Sequence, residues 1–355
     1  MQSTSEAEKR APAPREEKER PKLPKQVTRL TLSNKLRRSI AKEARTDGNT
    51  NKLWEAASSL SSIHGQYARS GKPATELEID LHDLWFTYYH AAKNTLADNP
   101  ILDRLVVQIL QAREIGPLQR TSSADTGSVA TTASTSDGII WTDLPFLVPD
   151  MTYFWLEDWA KMSASSRLGF STFLAKLASV GICRDRFCSI ALMLLRDTLE
   201  TARPLGVCVG DDDKDKERSA EKPARRQQDV TVTELLPAVN AWMFFAGRKI
   251  VQLADTRWSG DDGGLGPLLR ADPSSSAMSA GGFSPERWIH WLKRMEQIAE
   301  EAESAGDAHL GGLTRRYMDN MLAVADEMDS AVKRLLKDSP GVIRHQPMTL
   351  ELGPK

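Results

Sequence analysis

The chain has 355 residues, 40% of them hydrophobic and nine of them tryptophan, enough to bury a sizeable core. Its 47 basic residues against 48 acidic ones leave a formal net charge of −1, so no global charge points to nucleic acid or an anionic membrane as partner. Three cysteines, Cys183, Cys188 and Cys208, make a sparse, odd set without zinc-like pairing, which predicts a reducing, intracellular setting, cytoplasmic or nuclear.

The N-terminus opens with charge and proline where a secretory signal needs an apolar core, so no signal peptide is expected there. Residues 1–34 read as a disordered charged tail, too poor in large apolar groups to offset the entropy of ordering. The tail runs into "NKLRRSIAKEAR", whose basic character fits a nuclear-import or anion-contacting segment less well than a solvated helix start. The longest apolar stretch, "AVNAWMFFAG" at Ala238 to Gly247, is about half of the roughly 20 residues a membrane-spanning helix needs. A soluble protein without a membrane partner is expected.

From about residue 35 to 337 apolar residues recur every three or four positions with almost no alternation, which predicts an all-α domain, a single multi-helix bundle. A first helix is expected over Lys52 to Ala68. The next stretch, "DLHDLWFTYYHAAKNT", gathers two histidines, acids and four aromatic rings, and raises the choice between an active site and a helix wall. Leu77, Leu81, Leu84, Trp85, Tyr88, Ala92 and Leu96 fall in one sector of roughly 100°, the width of a core-facing stripe, so it reads as a wall. His82 and His90 stand about 12 Å apart along the axis, too far to share a metal ion, and read as surface or boundary residues. His64, His290, His309 and His345 are equally isolated in sequence.

"DNPILDRLVVQILQAREIGP" reads as a helix with Asp98 or Asn99 as cap, Pro100 in the first turn and Gly116-Pro117 as stop. The Ser/Thr-rich run 121–138 reads as a mobile surface loop. In "IIWTDLPFLVPDMTYFWLEDWAKM" the prolines predict an extended connector before a helix starting near Tyr153. "SSRLGFSTFLAKLASVGI" and "DRFCSIALMLLRDTLETA" form a helix pair, the second apolar on nearly all sides and therefore central. A similar central helix follows Thr231, where Thr231 and Glu234 can form a capping box. The charged stretch 206–229 and the Gly/Ser/Pro-rich stretch 259–282 read as mobile loops.

"FSPERWIHWLKRMEQIAEEAE" and "LTRRYMDNMLAVADEMDSAVKRLL" read as a C-terminal αα-hairpin. Ser284 caps, Pro285 takes the first turn, and Phe283 can staple onto Trp288. Tyr317, Met321, Val324, Met328, Ala331 and Leu335 form the stripe of the second helix, which reads as core packing rather than a methionine-lined peptide groove. Residues 338–355 are expected as a flexible tail.

The stretches "LWFTYYHAAKN", "DRLVVQILQAREIGP", "WTDLPFLVPDMTYFW" and "PERWIHWLKRMEQIAEEAE" together resemble a largely fungal family of uncharacterised helical proteins, domain of unknown function 3632. The resemblance spans most of residues 75 to 335. It implies a helical fold and carries over no site residues. The inserts at 121–138, 211–229 and 259–282 depart from the family's compact pattern.

No phosphate loop, HExxH, GxSxG or CxxC signature occurs, which favours an interaction or scaffold module with an unidentified protein partner, no cofactor and no metal. The alternative is a magnesium-dependent enzyme acting on a diphosphate. "DDDKD" places Asp211, Asp212 and Asp215 in the DDxxD spacing of class I terpenoid synthases, where clustered carboxylates hold magnesium, and Arg316-Tyr317 mimics the Arg-Tyr pair near the end of such enzymes. The second metal motif is missing, and lysines interrupt the run, so a solvated charge run explains it better. Nucleic-acid binding through the basic tail lacks an aromatic-interleaved basic surface.

Overall fold

The computed structural model describes residues 33–42, 60–69, 74–124, 127–206, 226–260, 264–272, 281–338 and 341. Its helices are α1 (33–42), α2 (Leu60–Arg69), α3 (Ala74–Lys93), α4 (Ile101–Glu114), α5 (Leu147–Asp158), α6 (Ala164–Ser179), α7 (Cys188–Leu199), α8 (Val232–Asp255), α9 (Pro267–Ala271), α10 (Pro285–Ser304), α11 (Ala308–Asp326) and α12 (Ala331–Asp338). The short strands β1 (Gln119–Ala124) with β2 (Gly127–Thr132), and β3 (Ser134–Thr135) with β4 (Gly138–Ile139), make two antiparallel pairs. The fold is the all-α bundle that the period of three to four predicts.

The local start signals act as expected. Thr231 and Glu234 form the capping box of α8, Ser284 Oγ accepts from the Arg287 amide at the start of α10, and Asn99 Oδ1 accepts from the Ile101 amide before α4. Phe283 differs in its partner: its ring meets Trp258 and, edge to face, Trp291, one turn beyond the expected Trp288.

The core is built on α6 and α8, which pack along most of their length. α6 also carries α3 and α4, while α8 carries α7, α11 and α12, so this pair joins the two halves of the chain. α7 is buried from Ile190 to Leu195, as its all-round apolar pattern predicts. Gly169 marks the closest approach: a Cβ there would stand 2.2 Å from the Thr95 carbonyl oxygen, so α6 could not reach the end of α3 with any other residue. α10 and α11 form the αα-hairpin.

Several expectations are corrected. The run 121–138 pairs into hairpins, with Gln119 opposite Thr132 and Ala124 opposite Gly127. It is anchored by buried Leu118 and Ile140, linked through Leu118 N–H to the Ile140 carbonyl and Ala133 N–H to the Leu118 carbonyl. Main-chain pairing and two apolar anchors do what an apolar stripe would do elsewhere. α5 begins at Leu147, six residues before Tyr153, because Pro149 lies in its first turn, where no amide donor is needed. The expected helix over 52–68 appears as Leu60–Arg69, with 43–59 outside the described residues; Ser33 and Asn34, assigned to the tail, belong to α1. The stretch 259–282 contains α9.

The last helix breaks at Glu327–Ser330 into α11 and α12, and its buried positions are Leu310, Gly311, Thr314, Met318, Met321 and Ala325 in α11 and Val332 in α12. Of the expected stripe, Met321 is buried in the core, while Tyr317, Val324, Met328, Ala331 and Leu335 are half-buried at its edge.

Candidate functional site

α3 is more enclosed than a single stripe allows. Asp83, Thr87, Tyr89, His90 and Ala91 are buried in addition to Leu77, Leu81, Leu84, Trp85, Tyr88 and Ala92, while Leu96 is exposed. α1, α5 and α6 all pack on these residues, Tyr89 meeting Phe170 of α6 at 5.0 Å. Three pairs in step join α3 to α5, with His82 Nδ1 2.8 Å from an Asp150 carboxylate oxygen, the Phe86 ring edge-on to Phe154 at 5.7 Å and the Tyr89 hydroxyl donating to Asp158 at 2.5 Å, and the Tyr89 ring also stacks on Phe154 at 4.6 Å. Both number series ascend together, so the helices run parallel. Lys93 reinforces the last pair through the Tyr89 hydroxyl and Asp158. Burial, then the neighbouring Asp158 charge, pushes the Tyr89 phenol far above its usual range, so it stays a donor.

His82 is the half-exposed member of this row. Nδ1 lies 2.9 and 2.8 Å from the two Asp150 carboxylate oxygens, the Phe146 ring lies 4.4 Å away, and Nε2 has no hydrogen-bond partner among the described residues. Burial raises the Asp150 carboxyl above the ordinary range, against the lowering pull of His82. His90 is not a surface residue: it is buried against Phe86 and Tyr89.

The turn leading into α5 is backbone-strained. Trp141, Leu144 and Phe146 have φ of 65°, 52° and 65°, and Cys183 and Arg184 in a second turn have 51° and 55°. The two turns touch, Cys183 Sγ lying 3.9 Å from the Asp143 carbonyl oxygen. Tertiary bonds hold the first: Trp85 Nε1 donates to the Pro145 carbonyl, the Phe146 amide to Asp137, and Trp141 Nε1 to His64 Nδ1. Burial pushes the Cys183 thiol up to about 11 and Cys188 to about 12, so neither is an activated nucleophile.

α1 crosses this face. Ser33 Oγ and Arg37 Nε both donate to Oδ1 of buried Asp83, at 2.5 and 2.6 Å, and the Arg37 guanidinium lies over the Phe86 ring at 5.3 Å.

A second surface lies between α8 and α11. Phe244 is 67% exposed there, the most exposed large apolar side chain among the described residues. Beside it a groove of about 490 Å³ is lined by Phe245, Gly247, Arg248, Asn320, Val324 and Glu327. Arg248 pairs with Glu327 at 2.7 Å across its mouth, and Asn320 with Asn240 at 2.7 Å.

Sequence reasoning missed a deeply buried ion pair, Glu200 with Arg287. Arg287 donates to both Glu200 oxygens, Trp291 Nε1 donates at 2.7 Å, and the Gly266 amide donates at 2.7 Å. A Cβ at Gly266 would fall 2.3 Å from Glu200 Cβ. Every donor serves the fold, so this is a clasp for the segments at 264–272 and 281–284. No local signal could have found it, since the partners come from three separate elements.

Asp211, Asp212 and Asp215 lie outside the described residues. Arg316 is exposed and Tyr317 half-buried against the core. Among the described residues no group of three or more His, Cys, Asp or Glu side chains could hold a metal ion, and no helix is long and apolar enough to cross a membrane.

A family model described as "Protein of unknown function (DUF3632)" matches residues 85–295, which includes α3 from Trp85 onward, the strained turns and the whole Glu200–Arg287 clasp. The chain is 33% identical over 324 residues to "Oxopyrrolidines biosynthesis cluster protein G" of Penicillium oxalicum, covering 88% of this chain and 84% of that protein. No solved structure matches.

Proposed function

We propose, from the premise that this chain belongs to the DUF3632 family, that it serves in a biosynthesis cluster, as its Penicillium relative's name describes, and does so as a protein-interaction module. The observation that carries the reading is Phe244. Phe244, 67% exposed, lines the groove together with half-buried Phe245 and Val324, and contiguous apolar surface of this kind is what marks contact sites on proteins. Arg248 and Glu327 at the rim supply paired charges of both signs, suited to orienting a partner rather than to binding an ion.

The test is photo-crosslinking in the native host with a benzophenone side chain at position 244, together with the F244E variant. A discrete cross-linked protein, and loss of cluster product in F244E with the fold intact, are expected. Absence of any discrete adduct, with unchanged product in F244E, refutes the reading.

One observation favours a second reading, proton-transfer catalysis: an Asp-anchored histidine with an open Nε2 has the arrangement of a general base. H82Q separates the two, since it should abolish product under the catalytic reading and leave the cross-link under the first.

A further inference from the structure

We propose that Asp83 and Phe86 form a receptor for a guanidinium group, filled in cis by Arg37 of α1 and able to take an arginine-bearing basic helix in its place. The receptor is separate from the Phe244 groove and does not depend on it.

Asp83 is 5% exposed, and both of its partners, Ser33 Oγ and Arg37 Nε, sit on Oδ1. Its second oxygen, Oδ2, is equally buried and has no hydrogen-bond partner. A buried carboxyl group with one bare oxygen lacks a hydrogen-bond partner there. A planar guanidinium offers two parallel N–H donors spaced to meet both oxygens, which an ammonium cannot do. Arg37 reaches only one, being tied to a helix whose first residue, Ser33, occupies the same oxygen. A guanidinium presented at a different angle satisfies the site more fully than the one that fills it.

The surroundings match that chemistry. The Phe86 face already carries the Arg37 guanidinium carbon at 5.3 Å, and Asp150 on α5 lies within electrostatic range of Arg37. α1 shows the form of the ligand: Lys35, Arg37, Arg38 and Lys42 on a helix with Leu36 and Ile40 one turn apart. Ile40, buried to 5%, and Ser33, at 4%, seat α1 beside the Asp83 carboxylate, while the Arg37 side chain remains 32% exposed.

The experiment uses the full chain as wild type, R37A, R37K and R37A/D83N, each first verified as helical by circular dichroism. The probe is a fluorescein-labelled peptide of residues 33–42, read by anisotropy against the same peptide with alanine in place of Arg37. R37A is expected to bind the arginine peptide at least tenfold tighter than wild type, where α1 competes, and R37K to behave like R37A. R37A/D83N and the alanine peptide should lose that gain. The proposal is overturned if neither R37A nor R37K binds the arginine peptide more tightly than wild type does, or if the alanine peptide or R37A/D83N binds equally well.

Discussion

Glu200, just after the last turn of α7, and Arg287, in the first turn of α10, meet through two hydrogen bonds of 2.6 and 2.9 Å, although 87 positions separate them in the chain. Both are essentially solvent-free, at 0% and 1% exposure. Removing one partner strands the other charge together with the Trp291 and Gly266 donors. E200A is therefore expected to cost about 3–5 kcal/mol of stability. E200M/R287M should cost less than the sum of the two single variants, because neither charge is then left alone. Urea denaturation of wild type, E200A, E200M, R287M and the double variant checks both statements; additivity would mean that the pair is not coupled.

Trp85 is fully buried, and its indole donates to the Pro145 carbonyl at 2.8 Å, tying α3 to the strained turn. W85A should cost about 3–5 kcal/mol, as truncation of a buried large aromatic does. H82A should cost under about 1 kcal/mol, since its side chain is half-exposed. H90A falls between them, because His90 is buried among Phe86 and Tyr89. Chemical denaturation ranks the three, and H82A matching W85A would contradict the placement of His82.

His290 provides a pH signature. Burial lowers its imidazole below the usual value, with Lys293 and Arg287 pushing the same way and Glu200 and Asp272 opposing. The fold thus holds His290 neutral, while the unfolded chain takes up a proton near pH 6.5. Below that value the unfolded state binds more protons, so stability falls as pH drops through about 6.5. Melts from pH 7.5 to 5.5 should show this loss in wild type and a shallower one in H290Q. Parallel curves would exclude His290 as its source.

The diphosphate alternative makes its own prediction. If Asp211, Asp212 and Asp215 held magnesium and a diphosphate, ligand would raise the melting temperature, with a stabilisation that grows as the logarithm of its concentration over Kd. No shift is expected with magnesium plus farnesyl diphosphate. A shift seen in wild type and absent when all three aspartates are asparagine would promote the enzyme reading.

What the sequence disclosed follows the range of each interaction. The capping box of Thr231 and Glu234 and the Ser284 cap span three residues, so their chemistry is visible in the string. The apolar all-round pattern of Ile190 to Leu195 likewise announces a central helix. His82 and Asp150 lie 68 positions apart, and Ser33 and Asp83 50 apart, so the face of α3 that they bury looks polar and exposed when read alone. The hairpin at 119–132 escapes periodicity because main-chain bonds build it. The break at Glu327–Ser330 escapes because Met328 and Ala331 continue an apolar rhythm that tertiary packing does not follow.

The parallel row of α3 and α5 acts as a key and ward. Its three contacts differ in kind: His82 with Asp150, Phe86 with Phe154, Tyr89 with Asp158. A slip of one turn would set Phe86 against Asp158 and His82 against Phe154, facing a carboxylate with a ring and leaving Asp150 without its imidazole. Only one alignment satisfies all three, so inserting or deleting a single residue within either helix would spoil every pair downstream of it. The hairpins between α4 and α5 carry none of these pairs. Length variation among relatives should therefore accumulate around residues 119–135 and stay out of 82–89 and 150–158.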